Sequence, residues 1–163
     1  MPQYIVISSF SRCDMSVTFK MTNAWYGHEL LDNQHIEILK SHDHIKDLAH
    51  AASFGEPIRT ALSDLHGILI EHFFHEEYAI RQLPDNKYKH YVVQHVRSHN
   101  HILNTIEQVC DLIKSDEKHA IKAYLSDMIT MLLDNMMSDD NRLIEYLIDE
   151  GIELQPSDVY PCE

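Results

Sequence analysis

The sequence predicts an all-α protein, an up-down-up-down four-helix bundle preceded by an N-terminal arm. Two observations carry this. Four long segments place apolar residues at three- and four-residue intervals, the spacing of one buried helix face. The joints between them, GEP at 55 to 57, LPDN at 83 to 86 and KSDE at 114 to 117, are short breaker motifs, which favour antiparallel neighbours. At 163 residues and 44% hydrophobic content the chain suffices for one domain with a core. It divides into an arm over 1–30, a bundle over 31–151 and a tail over 152–163.

The first helix is expected from Asp32 to Phe54, with Asp32 or Asn33 as its N-cap and Gly55 beyond its end. Its stripe runs through His35, Ile38, His42, Ile45 and Ala49. The second begins at Pro57, a favourable first-turn residue, and runs to about Leu83 on a stripe of Ile58, Leu62, Leu65 and Leu69. The third, Lys87 to Ser115, carries Val92, Ile102, Ile106, Val109 and Ile113. The fourth, Asp116 to Glu150, carries Ile121, Leu125, Met128 and Leu132, then Leu143 and Leu147, and stops at Gly151. Phe73, Phe74, Met131, Met136 and Met137 are expected in the core, and Trp25 is expected to pack the arm on the bundle.

With 13 Lys and Arg against 26 Asp and Glu the formal charge is -13, which repels nucleic acid and anionic membranes. No run of about 18 apolar residues suggests a membrane span, and the N-terminus lacks the pattern of a signal peptide. Cys13, Cys110 and Cys162 are too few and scattered for a disulfide framework, so reduced thiols in a cytoplasm are expected. No nucleotide-binding or nucleophile-elbow motif is present, so those enzyme classes have no foothold.

Thirteen histidines are the outstanding compositional feature. Two stripes run into them. The second helix's stripe continues to His72 and Glu76, and the third's passes through His95 and His99 before Ile102, each an i, i+4 pair on one face. Such groups buried without partners would cost several kcal/mol, roughly, and a transition metal removes that cost. On the first helix His35 and His42 compete, since seven residues separate them by ~10 Å along the axis. On the fourth, Asp140 aligns with Leu143 and Leu147 and is placed inside, with Asp139 a solvated neighbour. His28, His44, His50, His66, His75, His90, His101 and His119 are expected at the surface or at helix ends.

From Trp25 to Leu147 the chain resembles the hemerythrin family. Gly27 followed by DNQH at 32 to 35 resembles the opening of the family's first helix. HFFHEE at 72 to 77 resembles its HF-x-x-EE, and HVRSH at 95 to 99 its His-x-x-x-His. NMMSDD at 135 to 140 resembles its His-Ile-x-x-x-Asp, with the histidine replaced by Asn135. The resemblance implies two iron ions held by His35, His72, Glu76, His95, His99 and Asp140. Glu76 and Asp140 would bridge them together with an oxo or hydroxo group, and Glu77 would not be a ligand. It implies reversible binding of O2, or of a related small oxidant, at an open position on the ion bound by His35 and His72. With Asn135 in place of an imidazole, the second ion would hold a water or lose affinity, so weaker iron retention and faster autoxidation than in a full-ligand relative are expected. Two rivals stand beside this reading. One is a di-metal oxidase, peroxidase or hydrolase. The other is a bundle with a structural or degenerate metal site, or one whose arm and tail serve a signalling partner.

Overall fold

A computed structural model describes residues 29–51, 55–115 and 118–154. The arm expected over 1–30, with Trp25 and Gly27, falls almost wholly outside the described residues. So do Cys13, Cys162, His28, the side chain of His119 and the tail beyond Leu154.

The described residues form an all-α helical bundle. Helix α1 spans Glu29–His50, α2 Glu56–Ile80, α3 Asp85–Lys114 and α4 Lys118–Asp134. A π-helical turn, Asn135–Asp139, then leads into α5, Asp140–Asp149. The residues flanking that turn keep right-handed helical torsions, so α4, the turn and α5 make one continuous fourth rod. Helix α1 packs on α2, α2 on α3, and α3 on α4.

Helix α1 begins three residues earlier than the expected caps, so Asp32 lies in its first turn beside Glu29. There the acids complement the helix dipole rather than cap it. The earlier start has a packing reason, because Leu31 is fully buried and contributes to the core. Helix α2 follows Gly55, whose φ of 137° lies in the region that side chains disfavour, and Pro57 occupies its first turn.

Two apolar clusters divide the interior. The larger gathers Ile38, Ile45, Leu62, Leu65, Leu69, Phe73, Ile102, Ile106, Leu125, Met128, Leu132 and Met136, among others. The smaller contains Ile80, Leu83, Tyr88, Tyr91, Leu143 and Leu147. Along α2, α3 and the fourth rod the residues between the clusters are polar and buried: His72 and Glu76, His95 and His99, Asn135 and Asp140. His35 holds the matching place on α1, between Leu31 and Ile38. The expected stripes are therefore the core, and their interruptions form one polar layer across it.

Two expected core residues lie outside: Phe74 is 47% and Met137 48% exposed. Phe74 lies two residues from both His72 and Glu76, ~200° around the helix from each, and so faces away from the layer. Met137 sits on the outer arc of the π turn, between buried Met136 and exposed Ser138. His75, expected at the surface, is 4% exposed. Helix α2 is flanked by both α1 and α3, and a helix with two neighbours buries a wider arc than one stripe.

Candidate metal centre

Six side chains from all four rods converge in the polar layer. His35, His72, Glu76 and Asp140 place ligand atoms within 4.8 Å of one another, and so do Glu76, His95, His99 and Asp140. The two groups share both carboxylates. Asp140 turns Oδ2 to 3.3 Å from His35 Nε2 and Oδ1 to 3.6 Å from His95 Nε2. Glu76 Oε2 lies 3.5 Å from His72 Nε2, 3.5 Å from His95 Nε2 and 3.2 Å from His99 Nε2. Two atoms bound ~2.1 Å from one ion at right angles lie ~3 Å apart, so this spacing suits a coordination sphere.

The outer edges of the rings show which nitrogen faces inward. The Tyr91 hydroxyl donates to the carbonyl of Asp139 at 2.8 Å, so it can only accept from His95 Nδ1, also at 2.8 Å. His99 Nδ1 donates to Glu77 Oε1 at 3.1 Å, and Gln34 Oε1 lies at a longer 3.4 Å from His72 Nδ1. With Nδ1 engaged outside, Nε2 of each ring is the atom turned to the carboxylates. In a neutral ring that atom carries a lone pair. Lone pairs facing carboxylate oxygens repel unless a cation or protons lie between them. Metal-binding histidines are held in this manner, the second nitrogen bonded to a carboxylate, carbonyl or hydroxyl. Phe73 stacks on His99 at 3.8 Å between centroids and 7° between planes, closing the layer towards the larger cluster.

The electrostatics are those of buried groups in want of a cation. Burial lowers the His35 imidazole to about 4, against the pull of Glu76, and the His72 imidazole to about 3. Burial also opposes the charge on His99, but its bonds to Glu76 and Glu77 outweigh that and raise it to about 9. Burial favours a protonated Glu76 too, yet His72, His95 and His99 around it hold its carboxyl well below the usual range. Asp140 goes the other way: burial, reinforced by the Glu76 charge, pushes it well above the usual range. Neither Asp140 oxygen has a hydrogen-bond partner among the described residues. An unpartnered buried carboxylate costs several kcal/mol as an order of magnitude, and a metal ion offsets that cost. The donor set of imidazole and carboxylate, without thiolate, suits iron, zinc or manganese. These groups could therefore hold a metal ion.

Asn135 is 2% exposed, and neither its Oδ1 nor its Nδ2 has a hydrogen-bond partner among the described residues. The π turn relates it to Asp140. In an α-helix residues five apart diverge by ~140° around the axis, whereas a π turn closes an i to i+5 hydrogen bond and stacks them. The Asp140 N–H bonds to the Asn135 carbonyl in that pattern.

Every site residue expected from the sequence thus lies in the layer or, for Asn135, on the face of the turn that leads to it. His42 is buried but pairs with Asp43 at 3.1 Å and joins neither donor group. Asp139 is half-buried, 3.9 Å from Arg142, as a neighbour rather than a donor. Sequence reasoning missed Tyr91 and Gln34 as partners of the rings. Tyr91 stands four residues before His95, and Gln34 directly before His35, so helical spacing held a signal for the first alone. Outside the layer, a surface groove between α1 and α2 of about 150 Å³ is lined by Leu30, Asn33, Gln34, Glu37, Ile68 and Glu71. No helix among the described residues is long and apolar enough to cross a membrane. Comparisons of the chain with known protein families, with curated proteins and with solved structures found no match.

Proposed function

We propose that this chain is a hemerythrin-like di-iron protein, an up-down-up-down bundle that binds or senses O2 or a related small oxidant in a reducing compartment such as the cytoplasm. One observation carries the reading: Asp140 divides its two carboxylate oxygens between two donor groups that it shares with Glu76. A carboxylate placed so is suited to bridging two ions. His35 and His72 would hold one ion, His95 and His99 the other, with Glu76 and Asp140 common to both. The family motifs and their spacing support iron over other metals.

Bound iron would supply reversible electron transfer to a small oxidant. The chain's own residues hold that chemistry in place. Tyr91, Glu77 and Gln34 fix the rings with Nε2 inward. Phe73 and the two apolar clusters keep bulk water from the layer, which strengthens every charge interaction inside it. Tyr91 is kept neutral, burial and the nearby Glu76 and Asp140 charges all raising its phenol.

Asn135 favours a second reading. A buried amide whose two polar atoms both lack hydrogen-bond partners among the described residues suits a water or other exchangeable ligand there, as an oxidase or peroxidase would need. One experiment separates the two readings: load the protein with iron, count iron per chain, reduce it anaerobically and admit O2 while recording the visible spectrum. Two irons, and a band that appears with O2 and vanishes when O2 is removed, are expected. Irreversible oxidation with consumption of oxidant supports the enzyme. Failure to take up iron, or uptake of zinc alone, overturns both and leaves a structural or degenerate site.

A further inference from the structure

His75 belongs to neither donor group, yet it is a buried histidine next to Glu76 in sequence. Its Nδ1 turns to Gln34 on α1. Gln34 Nε2 lies 2.9 Å from His75 Nδ1, while Gln34 Oε1 lies 3.4 Å from both His72 Nδ1 and His75 Nδ1. A glutamine amide has one face that donates and one that accepts, and in isolation nothing decides which points where. Here the one short contact is that of Nε2 with His75 Nδ1, and it sets the amide's direction. If His75 Nδ1 accepts, the NH2 must face it, and the carbonyl must face His72. A carbonyl cannot donate, so His72 must carry its proton on Nδ1. The Nε2 lone pair of His72 is then left pointing at Glu76, 3.5 Å away.

We infer that His75 is a positioning residue acting through Gln34: it fixes the orientation of the Gln34 amide, and the amide fixes the tautomer of His72. Free imidazole side chains in water favour the opposite tautomer, with the proton on Nε2, which would present a proton instead of a lone pair to a metal. The chain His75, Gln34, His72 crosses from α2 to α1 and back, so it also ties the two helices at the level of the centre. Gln34 also lines the surface groove between α1 and α2. The consequence for metal retention rests on the reading of His72 as a ligand; the tautomer assignment does not.

The test uses the full chain, first without metal. Long-range nitrogen–proton NMR at neutral pH reports which nitrogen of His72 is protonated. In the wild type the proton is expected on Nδ1. His75→Asn, whose side-chain oxygen takes the place of the accepting nitrogen, should preserve it. His75→Leu should shift His72 towards the Nε2 form. Gln34→Met, which keeps length and removes the acceptor, should do the same and stands in if the leucine variant does not fold. With cobalt(II) loaded as probe, metal should pass to a chelator about tenfold faster from His75→Leu than from wild type, with His75→Asn restoring the slow rate. The inference is overturned if wild-type His72 carries its proton on Nε2, if His75→Leu leaves the tautomer unchanged, or if His75→Asn behaves like His75→Leu. A wild type that takes up no metal but shows the Nδ1 tautomer, altered by His75→Leu, sinks the di-metal reading and upholds this one.

Discussion

The backbone N–H of Asp140 bonds to the carbonyl of Asn135 five residues before it, and this one π-type bond sets the phase of the fourth rod. Upstream, Leu125, Met128 and Leu132 face the larger cluster; downstream, Asp140, Leu143 and Leu147 face inward as well. A continuous α-helix would leave Leu132 and Leu143, eleven residues apart, within ~20° of one another, but would part Asn135 from Asp140 by ~140°; the π turn brings these two together.

Phase can be tested by changing length. Deleting exposed Ser138 leaves Asn135 and Asp140 four residues apart, still on one α-helical face, and metal uptake should survive. Inserting one alanine after Met137 rotates Asp140, Leu143 and Leu147 by ~100° and should abolish uptake. Metal-to-protein ratios on the two variants, with circular dichroism to check helicity, decide it. Equal loss in both would show that rod length, not phase, is the constraint.

Asp140→Asn keeps the shape of the side chain and removes its charge. The folded protein raises the Asp140 carboxyl well above its usual range, burial being the first cause and Glu76 the second. Its contribution to stability is therefore fully present below the unfolded value and is lost as pH rises through the folded one. The metal-free variant should be more stable than metal-free wild type at pH 8 by ~1–3 kcal/mol, the order of a buried unsatisfied group. The gap should close on acidification. Metal content should fall in the same variant. Denaturant melts at two pH values, alongside metal analysis, provide the check; a less stable variant at pH 8 would contradict the account.

His99 behaves as a raised base. Its stabilising proton is fully held below pH 6.5 and is lost as pH rises through about 9. Metal-free protein should lose stability across that window, by at most ~3 kcal/mol from this group. Metal-loaded protein should not, since an ion takes the place of the proton. Adding metal at pH 7 should release a proton, measurable in weakly buffered solution. Flat stability of the metal-free form from pH 6.5 to 9 would remove His99 from this role.

Tyr91→Phe deletes the group that accepts from His95 and donates to Asp139. The loss of two buried hydrogen bonds should cost ~1–3 kcal/mol. Metal affinity should drop by roughly 10–100-fold, the usual effect of removing a partner behind a ligating imidazole. Competition with a coloured chelator measures it; an unchanged affinity would mean that the ring is held by packing alone.

Asn135→His places an imidazole on the inward face of the π turn. Iron should be retained more firmly and autoxidise more slowly than in the wild type. Iron content after dialysis, and the rate of spectral change in air, report the two effects. If neither moves, Asn135 does not stand at a coordination position.

The bundle was legible from the sequence because buried helix faces impose their own period. Leu62, Leu65 and Leu69, or Ile102, Ile106 and Val109, repeat at intervals that no neighbour is needed to interpret. The same period exposed His72, Glu76, His95 and His99 as interruptions, placed Asp140 inside and offered His35 beside His42; the resemblance chose His35 and singled out Asn135. It misled at Phe74, Met137 and His75, because it describes one face and not how many neighbours share a helix.

The amino-acid sequence by itself determined the four rods, their stripes and the identity of the inward polar groups, since these depend on residue type and spacing along one helix. Only the tertiary structure decided that those groups meet at one level between two apolar clusters, and that Asp140 faces both donor groups. It alone placed Glu77 and Gln34 behind the rings of His99 and His72. These are relations between atoms far apart in the chain, fixed by how helices pack and by one π turn, and no local period encodes them.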